Sequence, residues 1–267
     1  MFKNLVCIAS GKGGVGKSTT AVNLSLALSG MNKKVGLLDA DIYGPSIPMM
    51  MGAALGTRPE IRGGKYMIPI ESHGIKFNSM GLLVDEKTAM VWRAPMIISA
   101  FNQILNDTDW NDLDYLVVDM PPGTGDIQLS LTQSAKVNGA IIITTPQDVA
   151  LLDARKGIEM FNKVDVPILG IVENMSTHVC TNCGHEEDIF GSGGGDRLAA
   201  EYGVEVIARL PLDLTIREQT DKGLPVVASD PMHVTSKTYK GLAIKVDEKL
   251  NQVAEKTESP TITIEDD

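Results

Sequence analysis

Six short runs along the chain are apolar at nearly every position: "NLVCIAS" (4–10), "KVGLLDA" (34–40), "YLVVDM" (115–120), "GAIIITT" (139–145), "VPILGIV" (166–172) and "VEVIARL" (204–210). Strands that are apolar on both faces, rather than on alternate positions, belong to a parallel sheet covered by helices on each side. Between the runs lie segments with helical spacing of apolar residues, "KSTTAVNLSLALSG" (17–30) and "DVALLDARKGIEMFNKV" (148–164), with Gly30 placed to stop the first. A further helix is predicted at about 234–254. The alternation predicts an α/β fold, a doubly wound and mostly parallel sheet with helices on both faces. Ligands are then expected at the carboxyl ends of the strands.

Two regions interrupt the rhythm. Residues 44–74, with "GPSIPMMMGAALG" and "RPEIRGG", read as an inserted set of loops with one hairpin, and residues 173–195, "ENMSTHVCTNCGHEEDIFGSGGG", read as a loop rich in turn residues. No internal repeat is visible. The last residues, "EKTESPTITIEDD", are polar and acidic and read as a mobile tail.

At 267 residues the chain can bury a substantial core, and 43% hydrophobic with 22% charged residues is a globular balance rather than a disordered one. A net charge of −10 argues against a general nucleic-acid binder, which needs a basic surface to neutralise phosphates. No run is long enough to cross a bilayer, and the apolar start is too soon broken by glycines to be a secretion signal, so a cytoplasmic protein without membrane attachment is expected. Three cysteines give no disulfide framework and fit a reducing compartment.

The stretch "GKGGVGKSTT" satisfies G-x-x-x-x-G-K-[ST] between a predicted strand and a predicted helix, the context a phosphate-binding loop needs. Backbone N–H groups from Gly11 to Thr19, through Lys12, Gly13, Gly14, Val15 and Gly16, can wrap phosphates. Lys17 then reaches the outer phosphates, and the Ser18 hydroxyl can ligate Mg²⁺. Lys12 is a second lysine that such a loop does not require. Read locally, it is either a solvated surface cation or a charge offered to a facing subunit, acting there as an arginine finger does. Asp39 and Asp41 end the second run, where they can face the phosphates or cap a turn. Asp119 ends a hydrophobic strand in the manner of a Mg²⁺-holding carboxylate, and Pro121, Pro122, Gly123 and Gly125 follow as a turn.

Cys180 and Cys183 form a C-x-x-C pair, compatible with a redox couple, half a zinc site or half an iron–sulfur site. Zinc and 4Fe–4S centres both want four ligands, and His178 and His185 flank the pair. Four ligands within eight consecutive residues make a cramped single-chain zinc site. Gly184 supplies a tight turn that frees backbone N–H groups to face sulfur. Cys7 reads as a core residue, and the 13 methionines, "PMMMG" among them, as packing rather than ligands.

The form "GKGGVGKST" is a deviant Walker A loop, and with "DADIYGPSIP", "VVDMPPGTGD", "TTPQDVALLDARKGIEMF", "GIVENMS" and "CTNCGHEEDIFGSGGG" in that order the sequence resembles the Mrp/ApbC branch of the MinD/ParA-like ATPases, the Nbp-type iron–sulfur carriers, over about 3–245. The resemblance implies a single P-loop ATPase domain over 1–254 with a C-x-x-C loop at 175–195, and a disordered tail at 255–267. It implies a homodimer that binds ATP and Mg²⁺ and hydrolyses slowly, Lys12 crossing to the partner's triphosphate. Asp41 would orient the attacking water, Asp39 and Asp119 would serve Mg²⁺ with Ser18, and Asn174, Pro211 and Asp213 would contact adenine. It also implies a 4Fe–4S cluster bridged by Cys180 and Cys183 of each chain and passed to apo acceptor proteins, with scaffold proteins as further partners. A positioning ATPase of the ParA/MinD kind and a zinc-bridged scaffold are the alternatives; the first has no need of the cysteine pair. A nitrogenase-reductase-like electron carrier would space its cluster cysteines far apart.

Overall fold

The structure is a computed structural model that describes residues 2–83 and 93–257. In chain order its strands are β1 (Phe2–Ala9), β2 (Val35–Asp39), β3 (Glu60–Arg62), β4 (Tyr66–Ile68), β5 (Ile70–Ser72), β6 (Ile75–Ser79), β7 (Leu113–Asp119), β8 (Gly139–Thr144), β9 (Ile168–Val179), β10 (Glu186–Glu187) and β11 (Val206–Leu212). Its helices are α1 (Lys17–Ser29), α2 (Ile47–Met50), α3 (Ala94–Asp107), α4 (Asp126–Ser134), α5 (Asp148–Asn162), α6 (Gly194–Tyr202), α7 (Leu214–Asp221), α8 (Val226–Ser229) and α9 (Val234–Thr257).

Seven strands run parallel in the order β11-β9-β8-β1-β7-β2-β6, with β5 antiparallel on β6 and β10 antiparallel on the end of β9. The continuous apolar runs are explained by burial on both faces. In β1, Val6 and Ile8 pack under α1 and α9 with Leu24, Leu28, Tyr239 and Leu242, while Leu5 and Cys7 face the opposite layer with Phe101, Ile158 and Phe161. α1 lies between the sheet and α9, which is why it is buried almost all round, its polar Thr20, Asn23 and Ser25 included. The expected doubly wound architecture is present.

Residues 44–74 contain the expected hairpin, β3–β4, and lead through β5 into β6, a parallel strand of the main sheet beside β2. The stretch 173–195, read as loop, begins instead as strand: β9 continues through polar residues to Val179, because β11 pairs with it as far as His178. Cys180 to His185 make the turn of a hairpin closed by β10, with Cys180 N–H donating to the His185 carbonyl at 2.9 Å. The helix expected at 234–254 runs on to Thr257, so the expected tail begins inside it; residues 258–267 lie outside the described residues. No helix among the described residues is long and apolar enough to cross a membrane.

Candidate functional site

The carboxyl ends of β1, β2, β7 and β9 converge on one cleft. The loop from Gly11 to Gly16 leaves β1 and feeds α1, and two approaches explain its glycines. A Cβ on Gly11 would overlap the backbone of Asp153 in α5, and one on Gly16, which sits at φ 86°, would overlap the Asn174 amide. A cleft of about 250 Å³ lies over the loop, lined by Gly13, Gly14, Lys17, Ser18, Asp41 and Pro122 among others. A larger cleft of about 700 Å³, behind α2 and lined by Pro48, Leu55 and Lys222, contains none of the phosphate-loop residues. The chemistry therefore places the nucleotide site in the smaller one.

Lys17 is 6% exposed, its ammonium 2.6 Å from Asp119 Oδ1, 3.6 Å from Asp41 Oδ2 and 3.3 Å from Ser18 Oγ. Asp119 is fully buried; burial raises its pKa, offset by Lys17 and Ser18, and its second oxygen, Oδ2, has no hydrogen-bond partner among the described residues. A buried, unpartnered carboxylate oxygen is costly unless something completes it, which suits a cation ligand. Ser18, Asp119 and Lys17 are thus gathered in one place. Asp41 joins them, its Oδ1 accepting from the Gly44 N–H at 3.2 Å.

Asp39, expected among the Mg²⁺ ligands, holds a different position. Its Oδ1 accepts from Asp41 N–H at 3.1 Å, and its Oδ2 accepts from Ile47 N–H at 3.3 Å and Ser79 Oγ–H at 2.9 Å. With both oxygens committed to the chain, it braces the turn from β2 into α2. Burial first, then the nearby Asp119 charge, pushes its pKa up to about 8. The turn after β7 closes over the loop from the other side: Gly123 N–H donates to the Ser10 carbonyl at 2.9 Å, and Gln128 Nε2 to the Pro122 carbonyl at 2.6 Å.

Asn174, expected at adenine, spends its Nδ2 on the Val15 carbonyl at 2.8 Å, so it clasps the phosphate loop. Pro211 follows Leu210, the β11 residue opposite Asn174, and is therefore close by. Asp213 caps α7, accepting from Thr215 N–H at 2.7 Å, and lies 3.6 Å from His233. The Lys12 ammonium has no ion-pair partner among the described residues.

The cysteine pair stands at the tip of the β9–β10 hairpin, Cys180 half-buried and Cys183 exposed. The N–H groups of Asn182 and Cys183, and then the Cys183 thiol, hydrogen-bond the Cys180 sulfur and lower its pKa. The expectation that the turn aims backbone N–H groups at sulfur is met in this way. His178 turns Nδ1 to the Leu212 carbonyl at 3.1 Å, and among the described residues no three His, Cys, Asp or Glu side chains form a metal-holding group.

Sequence reasoning missed Ser79, Gln128 and Glu173. The last is a carboxylate only 2% exposed that accepts from the Gly195 N–H at 2.5 Å and faces Arg209 at 3.5 Å. Their signal is weak in sequence because the partners of each are brought within reach only by the fold.

With this geometry fixed, comparison with known proteins is decisive for the family. The family described as ParA, NUBPL iron-transfer P-loop NTPase, matches residues 1–247. The chain belongs to this family. Among curated relatives, the iron–sulfur cluster carrier protein of Pseudomonas fragi is 60% identical over 242 residues, covering 91% of this chain and 84% of the relative. A nucleotide-binding protein of Archaeoglobus fulgidus solved with ADP superposes with a TM-score of 0.76 at 34% identity, covering 89% of this chain and 92% of that one. The MinD protein of Pyrococcus horikoshii solved with Mg-ADP, at 23% identity and TM-score 0.71 over 96% of this chain and 100% of that one, shares the fold.

Proposed function

We propose that this protein is an ATP-dependent carrier that receives an iron–sulfur cluster and passes it to apo acceptor proteins. The observation that carries the reading is the Cys180–Cys183 hairpin, two accessible thiols raised on the same strand whose Asn174 grips the phosphate loop, in a chain of the NUBPL family. The cargo is a 4Fe–4S cluster, which wants about four thiolates, so two copies of the chain supply two each. Each backbone N–H aimed at Cys180 favours its thiolate, the form that binds iron.

ATP lies on the phosphate loop, with Lys17 on its outer phosphates and adenine toward Asn174 and Pro211. The residues fit Mg²⁺: Asp119 Oδ2 is unpartnered among the described residues, the Ser18 hydroxyl neighbours the Asp119 carboxylate, and Mg²⁺ is held by one or two carboxylates with phosphate oxygens and water rather than by a protein cage. Bound there, the ion would neutralise phosphate charge. When nucleotide arrives, Lys17 exchanges part of its pairing with Asp119 and Asp41 for the phosphates. Asp41 is then freed to accept from and orient the attacking water. Lys12, with no partner among the described residues of its own chain, crosses to the triphosphate of the second copy and stabilises the charge developing there. Hydrolysis is slow and tied to pairing of the chains.

The test is anaerobic reconstitution with iron and sulfide. The wild-type protein should take up about four of each per pair of chains and turn brown, whereas Cys180→Ser/Cys183→Ser should take up neither. Full uptake by the double variant, or zinc in place of iron in the anaerobically purified wild type, defeats the reading.

A further inference from the structure

Consecutive residues of β9 hold separate parts of the site. Glu173 receives the Gly195 N–H in the first turn of α6, where the chain returns from the cysteine hairpin. Asn174 donates to Val15 in the phosphate loop. Met175 comes next, with φ 55°, and here the pairing slips: Leu210 of β11 lies opposite Asn174, but Leu212 lies opposite His178. Ser176 then re-enters the sheet, its buried hydroxyl donating to the Leu210 carbonyl at 3.1 Å. Beyond it the strand leads directly to Cys180.

The left-handed region is unfavourable for any residue with a Cβ, and more so for a β-branched one. Met175 is kept there by the hydrogen bonds on either side of it, of which Asn174 to Val15 is the one that reaches another part of the site. We propose that Met175 is a hinge by which the phosphate loop sets the position of the cysteine hairpin; the proposal rests on the reading of the two sites given above. With the clasp closed, Met175 is kinked and the loop is held in the form that wraps phosphates. With the clasp open, Met175 relaxes towards extended backbone and Cys180 and Cys183 move with the strand. A nucleotide binds the closed state better and so shifts the hairpin, and by reciprocity whatever holds the hairpin shifts nucleotide affinity.

Two substitutions at one position push the equilibrium in opposite directions. Glycine accepts positive φ at no steric cost and favours the closed state, whereas valine opposes it. The experiment uses the full chain without metal, measuring MgADP affinity and the rate at which Cys180 and Cys183 react with a small aromatic disulfide. Cys7 stays silent, since burial pushes its thiol up to about 12. In the wild type, saturating MgADP should change the thiol rate several-fold. Met175→Gly should bind MgADP at least as tightly as wild type and show the nucleotide-saturated thiol rate with no nucleotide present. Met175→Val should bind about 5-fold or more weakly and shift the thiol rate the other way. A wild-type thiol rate indifferent to nucleotide, or affinities that move in the same direction in both variants, overturns the hinge. Should the valine variant fail to fold, the glycine arm decides alone. No cluster enters these measurements, so failure of the hinge and failure of cluster carriage are distinguishable.

Discussion

Removing the Lys17 ammonium should destabilise the protein even before any nucleotide is added. The ammonium is 6% exposed, 2.6 Å from Asp119 and 3.6 Å from Asp41, with Asp39 also buried nearby. At an effective dielectric of about 20, Coulomb's law gives gross attractions of about 6 and about 5 kcal/mol for unit charges at those separations. Desolvation offsets much of this, and breaking a buried pair typically costs about 3–5 kcal/mol because the surviving charge is left unpaired. Lys17→Ala should therefore lose about 3–5 kcal/mol in urea unfolding of the nucleotide-free protein near neutral pH. The sign of the pH dependence follows from burial. Asp119 already has a raised pKa in the folded protein, and without Lys17 it rises further. A carboxyl whose folded pKa exceeds its unfolded value takes up a proton on folding, so the variant gains stability as pH falls from neutral towards about 4, by up to about 1.4 kcal/mol per pH unit. The deficit relative to wild type should shrink on acidification, and Lys17→Ala/Asp119→Asn should recover much of it at neutral pH. A deficit under about 1 kcal/mol, or one that does not change with pH, would refute the reasoning.

Replacing Lys12 by alanine should spare ATP binding and folding while reducing ATP turnover by about 10³-fold or more; turnover per chain that is unchanged and independent of protein concentration contradicts a charge donated between chains. Asn174→Ala removes the Val15 clasp and should weaken MgADP binding about 5- to 10-fold, the equivalent of one hydrogen bond, as read by calorimetry. Wild-type affinity would show that the loop holds its shape unaided.

The parts of the fold that sequence made legible are those where burial alone dictates residue type. The run at 139–145 appears as β8 at Gly139–Thr144, and that at 34–40 as β2 at Val35–Asp39, because a strand covered on both faces has no polar option. α3 was not read from the sequence, although its Ile97, Phe101, Ile104 and Leu105 recur at helical spacing and are all buried. β6 was not legible either, since "IKFNS" places a buried Asn78 and Ser79 in a strand; these are tolerated because Asn78 donates to Thr108 and Ser79 to Asp39. The second half of β9 was concealed for the same reason. Glu173, Asn174, Ser176 and His178 look like loop residues, yet each satisfies a backbone group of another element. At the site, the phosphate loop, Asp119 and the cysteine pair were readable because their chemistry is local in sequence. The job of Asp39 was not, because it depends on an Ile47 amide and a Ser79 hydroxyl that only the folded sheet brings within reach.

Two features of the described chain stop halfway, and they call for the same completion. The hairpin offers two thiols with no third metal ligand beside them among the described residues, while a cluster wants about four. Lys12 adds a second cation to a phosphate loop where Lys17 already faces the cleft. A second copy related by a twofold axis answers both, since an isologous pairing returns every group that each chain lends. The proposed hinge at Met175 would give that arrangement a direction, because the strand that leads to the thiols holds the phosphate loop through Asn174. On the proposed pairing, one surface would govern both sites. A substitution that weakens pairing should lower ATP turnover and cluster occupancy with the same dependence on protein concentration, and separate concentration dependences for the two would mean that separate assemblies serve them.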